Sequence, residues 1–123
     1  MKTVLVADDE LSIRKLYERE LGREGYNIVF ANNGQEAIKV ARESIPDLVI
    51  MDIRMPGMDG LEAMGRILED NNQVPVVINT AFSSYQDSFL SWCADAYVTK
   101  SADLTELKDT VRNLLSGEEI VQQ

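Results

Sequence analysis

Three carboxylates, a hydroxyl and an amine stand at the ends of short apolar runs in this 123-residue chain. Asp8 and Asp9 close the run Thr3–Ala7, and Asp52 follows Leu48–Met51. Thr80 lies just past the run through residues 74–78, and Lys100 follows Ala96–Thr99. If these runs are parallel strands, all five side chains crowd one rim. Three carboxylates so close repel one another. Lys100 offsets one charge, and a hard divalent ion would offset the rest; carboxylate and carbonyl oxygens with retained waters suit Mg2+. An aspartate in such a set can act as a nucleophile and form an aspartyl phosphate. That transfer needs positioning and charge neutralisation more than acid–base work. Asp52 is then the phosphoacceptor, with Lys100 pairing one phosphoryl oxygen and Thr80 donating to another. Each residue also has a plainer reading. Asp8-Asp9 could open a helix, Asp52 could cap a turn, Thr80 could be an ordinary strand residue and Lys100 a solvated charge. The placement of all of them at the same end of their strands favours chemistry.

The elements that must hold these residues are legible as an alternation. The apolar runs Thr3–Ala7, Asn27–Ala31, Leu48–Met51, 74–78 and Ala96–Thr99 are rich in Val and Ile and mostly do not alternate with polar residues. Such runs suit strands covered on both faces, as in a parallel sheet. Helical stripes lie between them: Ile13, Leu16, Tyr17 and Leu21; then Ala37, Ile38 and Ala41; and finally Leu104, Leu107, Val111, Leu114 and Leu115, with Gly117 expected just past the last helix. Asn33-x-x-Glu36, Asp59-x-x-Glu62 and Asp103-x-x-Glu106 resemble capping boxes at helix starts. A helix between residues 83 and 93 is weakly specified, because the segment is serine-rich and serine favours caps and turns. Five βα units imply an α/β three-layer sandwich, whose working site lies at the carboxyl ends of the strands.

Composition narrows the function. Lys and Arg total 12 against 21 Asp and Glu, a net charge of −9. That balance argues against nucleic acid and against anionic lipid, and favours protein partners with basic patches. The chain contains no histidine, so it holds no His-based triad or zinc site and cannot itself be phosphorylated on histidine. Its single cysteine, Cys93, excludes an internal disulfide and suits a reducing compartment. The start of the chain turns acidic too soon for a signal peptide, and no apolar run is long enough to span a bilayer. A cytoplasmic protein of one domain is expected.

With these residues in place, the chain resembles the receiver domain of bacterial two-component response regulators. The resemblance covers essentially the whole length. It is carried by Asp8-Asp9-Glu10, by residues 46–52 ending in Asp52, and by Met55-Pro56-Gly57-Met58-Asp59-Gly60. Thr80-Ala81 and Tyr97-Val98-Thr99-Lys100 complete it. It implies a flavodoxin-like (βα)5 fold with a five-stranded parallel sheet in the order 2-1-3-4-5. It also implies Asp52 as phosphoacceptor, with Asp9 and Asp52 as direct Mg2+ ligands joined by the backbone carbonyl of Arg54, and Asp8 acting largely through water. Lys100 becomes the phosphoryl ion pair, and Thr80 and Tyr97 the switch pair. Arg54 and Phe82 occupy the positions that tune phosphate lifetime; a basic and an aromatic residue there are similar to those of single-domain phosphorelay intermediates and imply slow autodephosphorylation. The implied partners are a histidine kinase or phosphotransfer protein, contacting Leu11, Ser12 and Ile13, and a downstream protein. That protein would read the face made by the fourth helix, fifth strand and last helix. Such a module catalyses only its own phosphorylation and dephosphorylation, and would be a monomer or a weak phosphorylation-dependent dimer. The sequence ends shortly after the last helix, so a stand-alone receiver or one excised from a longer chain is expected.

Two positions depart from the family. Ser101 replaces the usual proline after the lysine, leaving either a trans bond with a rearranged loop or a cis bond costing about 3 kcal/mol. Cys93 replaces a glycine, where a Cβ makes the left-handed conformation costly; a small buried apolar side chain is expected there. Trp92 would pack in or on the edge of the weak helix. Two rival functions remain. A phosphorylation-independent interaction scaffold on this fold is allowed by Ser101, Cys93 and the serine-rich helix, but not explained by the intact acids, Thr80 and Lys100. A phosphatase of the haloacid dehalogenase class would need a second acid where Arg54 stands, and a cap domain.

Overall fold

The structure, a computed structural model, describes residues 1–81 and 93–116. The expected weak helix, Phe82, Trp92 and Gly117 lie outside the described residues. Five strands are present: β1 (Thr3–Ala7), β2 (Asn27–Ala31), β3 (Leu48–Met51), β4 (Val76–Thr80) and β5 (Ala96–Thr99). All neighbouring pairs are parallel, in the order β2-β1-β3-β4-β5. The helices among the described residues are α1 (Leu11–Gly22), α2 (Gly34–Ser44), α3 (Gly60–Asp70) and α4 (Thr105–Ser116).

The continuous apolar runs are explained by two separate core clusters, one on each face of the sheet. Leu5, Val49, Met51, Val76 and Ile78 point into one cluster, which α2 and α3 cover with Ile38, Leu61, Met64 and Ile67. Val4, Val6, Leu48, Ile50 and Val77 point into the other, covered by Tyr17 and Leu21 of α1 and by Leu107 and Val111 of α4. Alternate residues of one strand thus serve opposite layers, and neither face tolerates a polar stripe.

Two of the expected helix starts form as anticipated. Asn33 accepts the Glu36 N–H at 2.8 Å while the Glu36 carboxylate takes the Asn32 N–H, and Asp59 accepts the Glu62 N–H at 2.9 Å. The third is displaced. Asp103 accepts from the N–H and hydroxyl of Thr105, at 2.9 and 2.6 Å, not from residue 106. The fourth strand also starts two residues later than its apolar run. Pro75 has no N–H to give, whereas Val76 donates to the Asp95 carboxylate at 2.8 Å and registers with Val49. Cys93 is exposed, not buried as expected. The described residues contain no cis peptide bond, so the 100–101 bond is trans.

Candidate phosphoacceptor site

Parallel pairing delivers the predicted acids to one end of the sheet. Ala7 is in register with Met51, so Asp8 and Asp52 leave adjacent strands side by side. Their places are fixed by the backbone: the Asp8 N–H donates to Ala31 at 3.1 Å, and the Asp52 N–H to Ala7 at 3.0 Å. Asp8 is 2 % exposed and Asp52 5 %, whereas Asp9 faces solvent. One carboxylate oxygen from each of the three lies within 4.8 Å of the others.

On the other flank, Thr80 ends β4 fully buried, and its carbonyl accepts the Lys100 N–H at 2.8 Å. That bond carries the lysine over the acids. Its Nζ lies 2.8 Å from Asp8 Oδ2, 3.1 Å from Asp52 Oδ2 and 3.3 Å from Glu10 Oε1. Burial pushes the ammonium towards its neutral form, but the hydrogen bond to Asp8 and the charges of Asp52 and Asp8 outweigh it and hold its pKa above the ordinary lysine value. Asp8 shows the opposite balance. Burial raises its carboxyl pKa, and the Asp52 charge adds to this; the Lys100 hydrogen bond and charge and the Glu10 N–H only partly oppose them. Lys100 therefore serves two buried acids and the exposed Glu10 at once, and one ammonium does not balance them.

The Asp52 carboxylate is used unevenly. Oδ2 is held by Lys100, while Oδ1 is buried and finds no hydrogen-bond partner among the described residues. A buried charged oxygen without a partner is costly. Its lone pairs, together with those of Asp8 and Asp9, form an all-oxygen donor set that suits a hard divalent cation such as Mg2+. Asp9, Arg54 and Asp59 line one open cleft at this rim.

The loop after Asp52 is kept tight by glycine. A Cβ on Gly60 would meet the Asp52 carbonyl group, and would come within 2.9 Å of the Ile53 Cα, while the Gly60 N–H donates to Ile53 at 2.8 Å. The start of α3 is thereby pressed against the end of β3. Gly57, at φ 76°, makes the turn between them.

The remaining predicted residues are placed as follows. Tyr97, on β5, is half-buried against the α2/α3-side core, in register with Ile78 and two steps below Thr80. Arg54 is exposed beside the rim. Leu11 and Ser12 are exposed at the start of α1, while Ile13 packs partly into the core. Three contributors escaped the sequence reading: Glu10, which shares Lys100, and the pair Tyr17 and Asn79. The one signal for the pair is an asparagine inside the run Val76-Val77-Ile78-Asn79-Thr80.

A family model described as the response regulator receiver domain matches residues 4–112. The chain belongs to that family. Among curated relatives, the probable transcriptional regulator ycf27 of Guillardia theta is 40% identical over 114 residues, 91% of this chain and 44% of that protein. The alkaline phosphatase synthesis transcriptional regulatory protein PhoP of Bacillus subtilis is 35% identical over 121 residues, 97% of this chain and 50% of that protein. This receiver thus spans about half the length of the curated relatives it matches. Among solved structures, the response regulator TrrA from Thermotoga maritima in complex with Mg2+-BeF is 47% identical. It superposes with a TM-score of 0.91 over 94% of this receiver and 100% of that chain. TrrA in complex with the histidine kinase ThkA gives a TM-score of 0.88 at 47% identity, over 94% of this receiver and 99% of that chain. The receiver is therefore a two-component response-regulator domain with the flavodoxin-like architecture. No helix among the described residues is long and apolar enough to cross a membrane.

Proposed function

We propose that this receiver takes a phosphoryl group onto Asp52 from a histidine kinase or phosphotransfer protein, with Mg2+ held at the rim. The observation that carries the reading is the divided Asp52 carboxylate, one oxygen paired with Lys100 and the other buried with no hydrogen-bond partner among the described residues. An Asp52 oxygen bonds to phosphorus as the donor's P–N bond breaks, and the electron pair leaves with the donor imidazole. Because the receiver has no histidine, that imidazole lies outside these 123 residues, and a small acyl phosphate can serve in its place. Asp8, Asp9 and Asp52, with the Arg54 carbonyl, would hold the cation, which when bound neutralises the acids and the charge of the transferring group. Lys100, already carried over Asp52 by the Thr80 carbonyl, pairs with a phosphoryl oxygen. The kinase complex formed by TrrA supports a histidine kinase as donor.

Thr80 and Tyr97 then pass the change to the face of β5 and α4, where a downstream protein binds. Arg54, with Phe82, shields the phosphoryl group and slows its hydrolysis. In this reading the receiver turns over no metabolite and catalyses only its own modification and its reversal. The test is an intact mass spectrum after incubation with acetyl phosphate and Mg2+. A Mg2+-dependent gain of about 80 Da, one phosphoryl group, that is lost in Asp52→Asn is expected. A gain that survives Asp52→Asn refutes the assignment. No gain in the wild type, with phosphorylated kinase also failing to transfer, moves the protein to a phosphorylation-independent scaffold.

A further inference from the structure

The buried polar residues away from the acid cluster form one connected network. Tyr17, on α1, is 2 % exposed, and its hydroxyl donates to Asn79 Oδ1 at 2.5 Å. Asn79, also 2 % exposed, sits on β4 immediately before Thr80, and its Nδ2 donates to the Val98 carbonyl at 2.9 Å. The orientation of the amide follows from its partners. A carbonyl oxygen can only accept, so Asn79 must turn its nitrogen towards Val98, and its oxygen is left for the tyrosine hydroxyl. The Val98 carbonyl therefore sets the amide orientation, and the Tyr17 hydroxyl, by donating to the oxygen left over, braces the Asn79 side chain against β5.

The grip acts two residues before Lys100. Asn79 and Val98 are in register on the two strands. One step further on, the Thr80 carbonyl takes the Lys100 N–H at 2.8 Å. The end of β5 is thus tied to β4 by a side-chain bond and then a backbone bond, after which the lysine reaches Asp8 and Asp52. Among the described residues β5 is an edge strand, paired on one side only, so these ties, with α4 beneath, set where its end points. The phenol also senses the site. Burial pushes the Tyr17 pKa up to about 12, and the charges of Lys100, Asp8 and Asp52 all act on it.

We propose that Tyr17 and Asn79 are a positioning pair that sets where Lys100 presents its ammonium to Asp52, and thereby the rate of phosphoryl transfer. The proposal rests on the phosphoacceptor reading above. The pair acts through Lys100 and touches none of the reacting atoms. A neutral pair of this kind, buried under the rim, adds no charge to an already overcrowded acid cluster while still fixing its one cation.

The test measures the phosphorylation rate with acetyl phosphate and Mg2+ as a function of acetyl phosphate concentration. It compares wild type, Tyr17→Phe, the double variant Tyr17→Phe/Asn79→Leu, and each in a Lys100→Ala background. The double variant removes both polar partners and keeps their approximate shapes, the case in which stability is least disturbed. The limiting rate should fall about tenfold, the scale on which small misplacements of a catalytic group act, with half-saturating acetyl phosphate nearly unchanged. In the Lys100→Ala background the same substitutions should have no further effect, because their target is gone. Tyr17→Phe alone, which removes the donor to Asn79 Oδ1 but leaves the bond to the Val98 carbonyl, should show a smaller fall of the same kind and serves if the double variant does not fold. A wild-type rate in folded variants, or an equal fall in both backgrounds, overturns the proposal. If wild type is not phosphorylated at all, or Asp52→Asn still is, the phosphoacceptor reading fails instead.

Discussion

Replacing Asp8 by asparagine should stabilise the receiver in the absence of a divalent cation and destabilise it, relative to wild type, in its presence. The magnitude follows from the site. At an effective dielectric of about 20, opposite charges 2.8 Å apart attract by about 6 kcal/mol, and like charges 4.8 Å apart repel by about 3.5 kcal/mol. Ionised Asp8 has one such attraction, to Lys100, and one such repulsion, from Asp52, a net attraction of about 2.5 kcal/mol. Asp9 is exposed and screened by solvent. Burial is the largest influence on the Asp8 carboxyl and costs its ionised form several kcal/mol, which leaves the charge a net cost of about 1 kcal/mol. Asparagine keeps an oxygen to accept the Glu10 N–H at 2.9 Å. The assay is urea unfolding at neutral pH and low salt, in EDTA and in Mg2+. In EDTA, Asp8→Asn should gain about 1 kcal/mol. With Mg2+ at a hundred times its dissociation constant, wild type should gain about 2.7 kcal/mol and overtake the variant. The pH dependence has a fixed sign. Asp8 has a raised pKa in the folded state, so the folded state binds the proton more tightly than the unfolded chain. Its contribution to stability is full below the ordinary carboxylate value and is lost as pH rises through the raised one. The advantage of Asp8→Asn should therefore shrink on acidification. A variant less stable than wild type in EDTA, or an equal gain from Mg2+ in both proteins, would refute the reasoning.

Other substitutions test the frame around the site. Gly60→Ala should cost about 2–3 kcal/mol in denaturant unfolding and slow phosphorylation, because the added Cβ drives α3 away from the Asp52 carbonyl. Ile45 closes α2 at φ 47° and ψ 68° with 69% of its surface exposed, a costly conformation for a β-branched residue. Ile45→Asn should raise stability by about 1 kcal/mol, measured by the same unfolding. Arg54→Ala should shorten the phosphorylated lifetime severalfold when decay is followed by mass; an unchanged lifetime, in this variant and in Phe82→Ala, removes both side chains from the shielding role.

The strands were legible because burial on both faces leaves no room for polar alternation, and residues 48–51 are fully apolar for that reason. Where β4 begins was not, because the decision is made by a proline that cannot donate and by an aspartate nineteen residues away that can accept. The helix starts at Asn33 and Asp59 could be read because the cap oxygen and the N–H that donates to it lie within one turn. The rim could be read because Asp8, Asp9, Asp52, Thr80 and Lys100 all follow strands that run the same way. Tyr17 was visible only as one member of an apolar stripe. Its hydroxyl finds Asn79 on the sheet face that α1 covers, a contact sixty-two residues apart in sequence that no local spacing encodes. Free cysteines are usually buried, but Cys93 is exposed in the short segment that leads into β5.

The most direct test of the central claim is to locate the phosphoryl group itself. After incubation with acetyl phosphate and Mg2+, borohydride reduction of the acyl phosphate converts the modified aspartate to homoserine, which peptide mass spectrometry can place. Homoserine at position 52, absent when Mg2+ is withheld, is expected. Homoserine at position 8 or 9 with an unmodified Asp52 would contradict the claim.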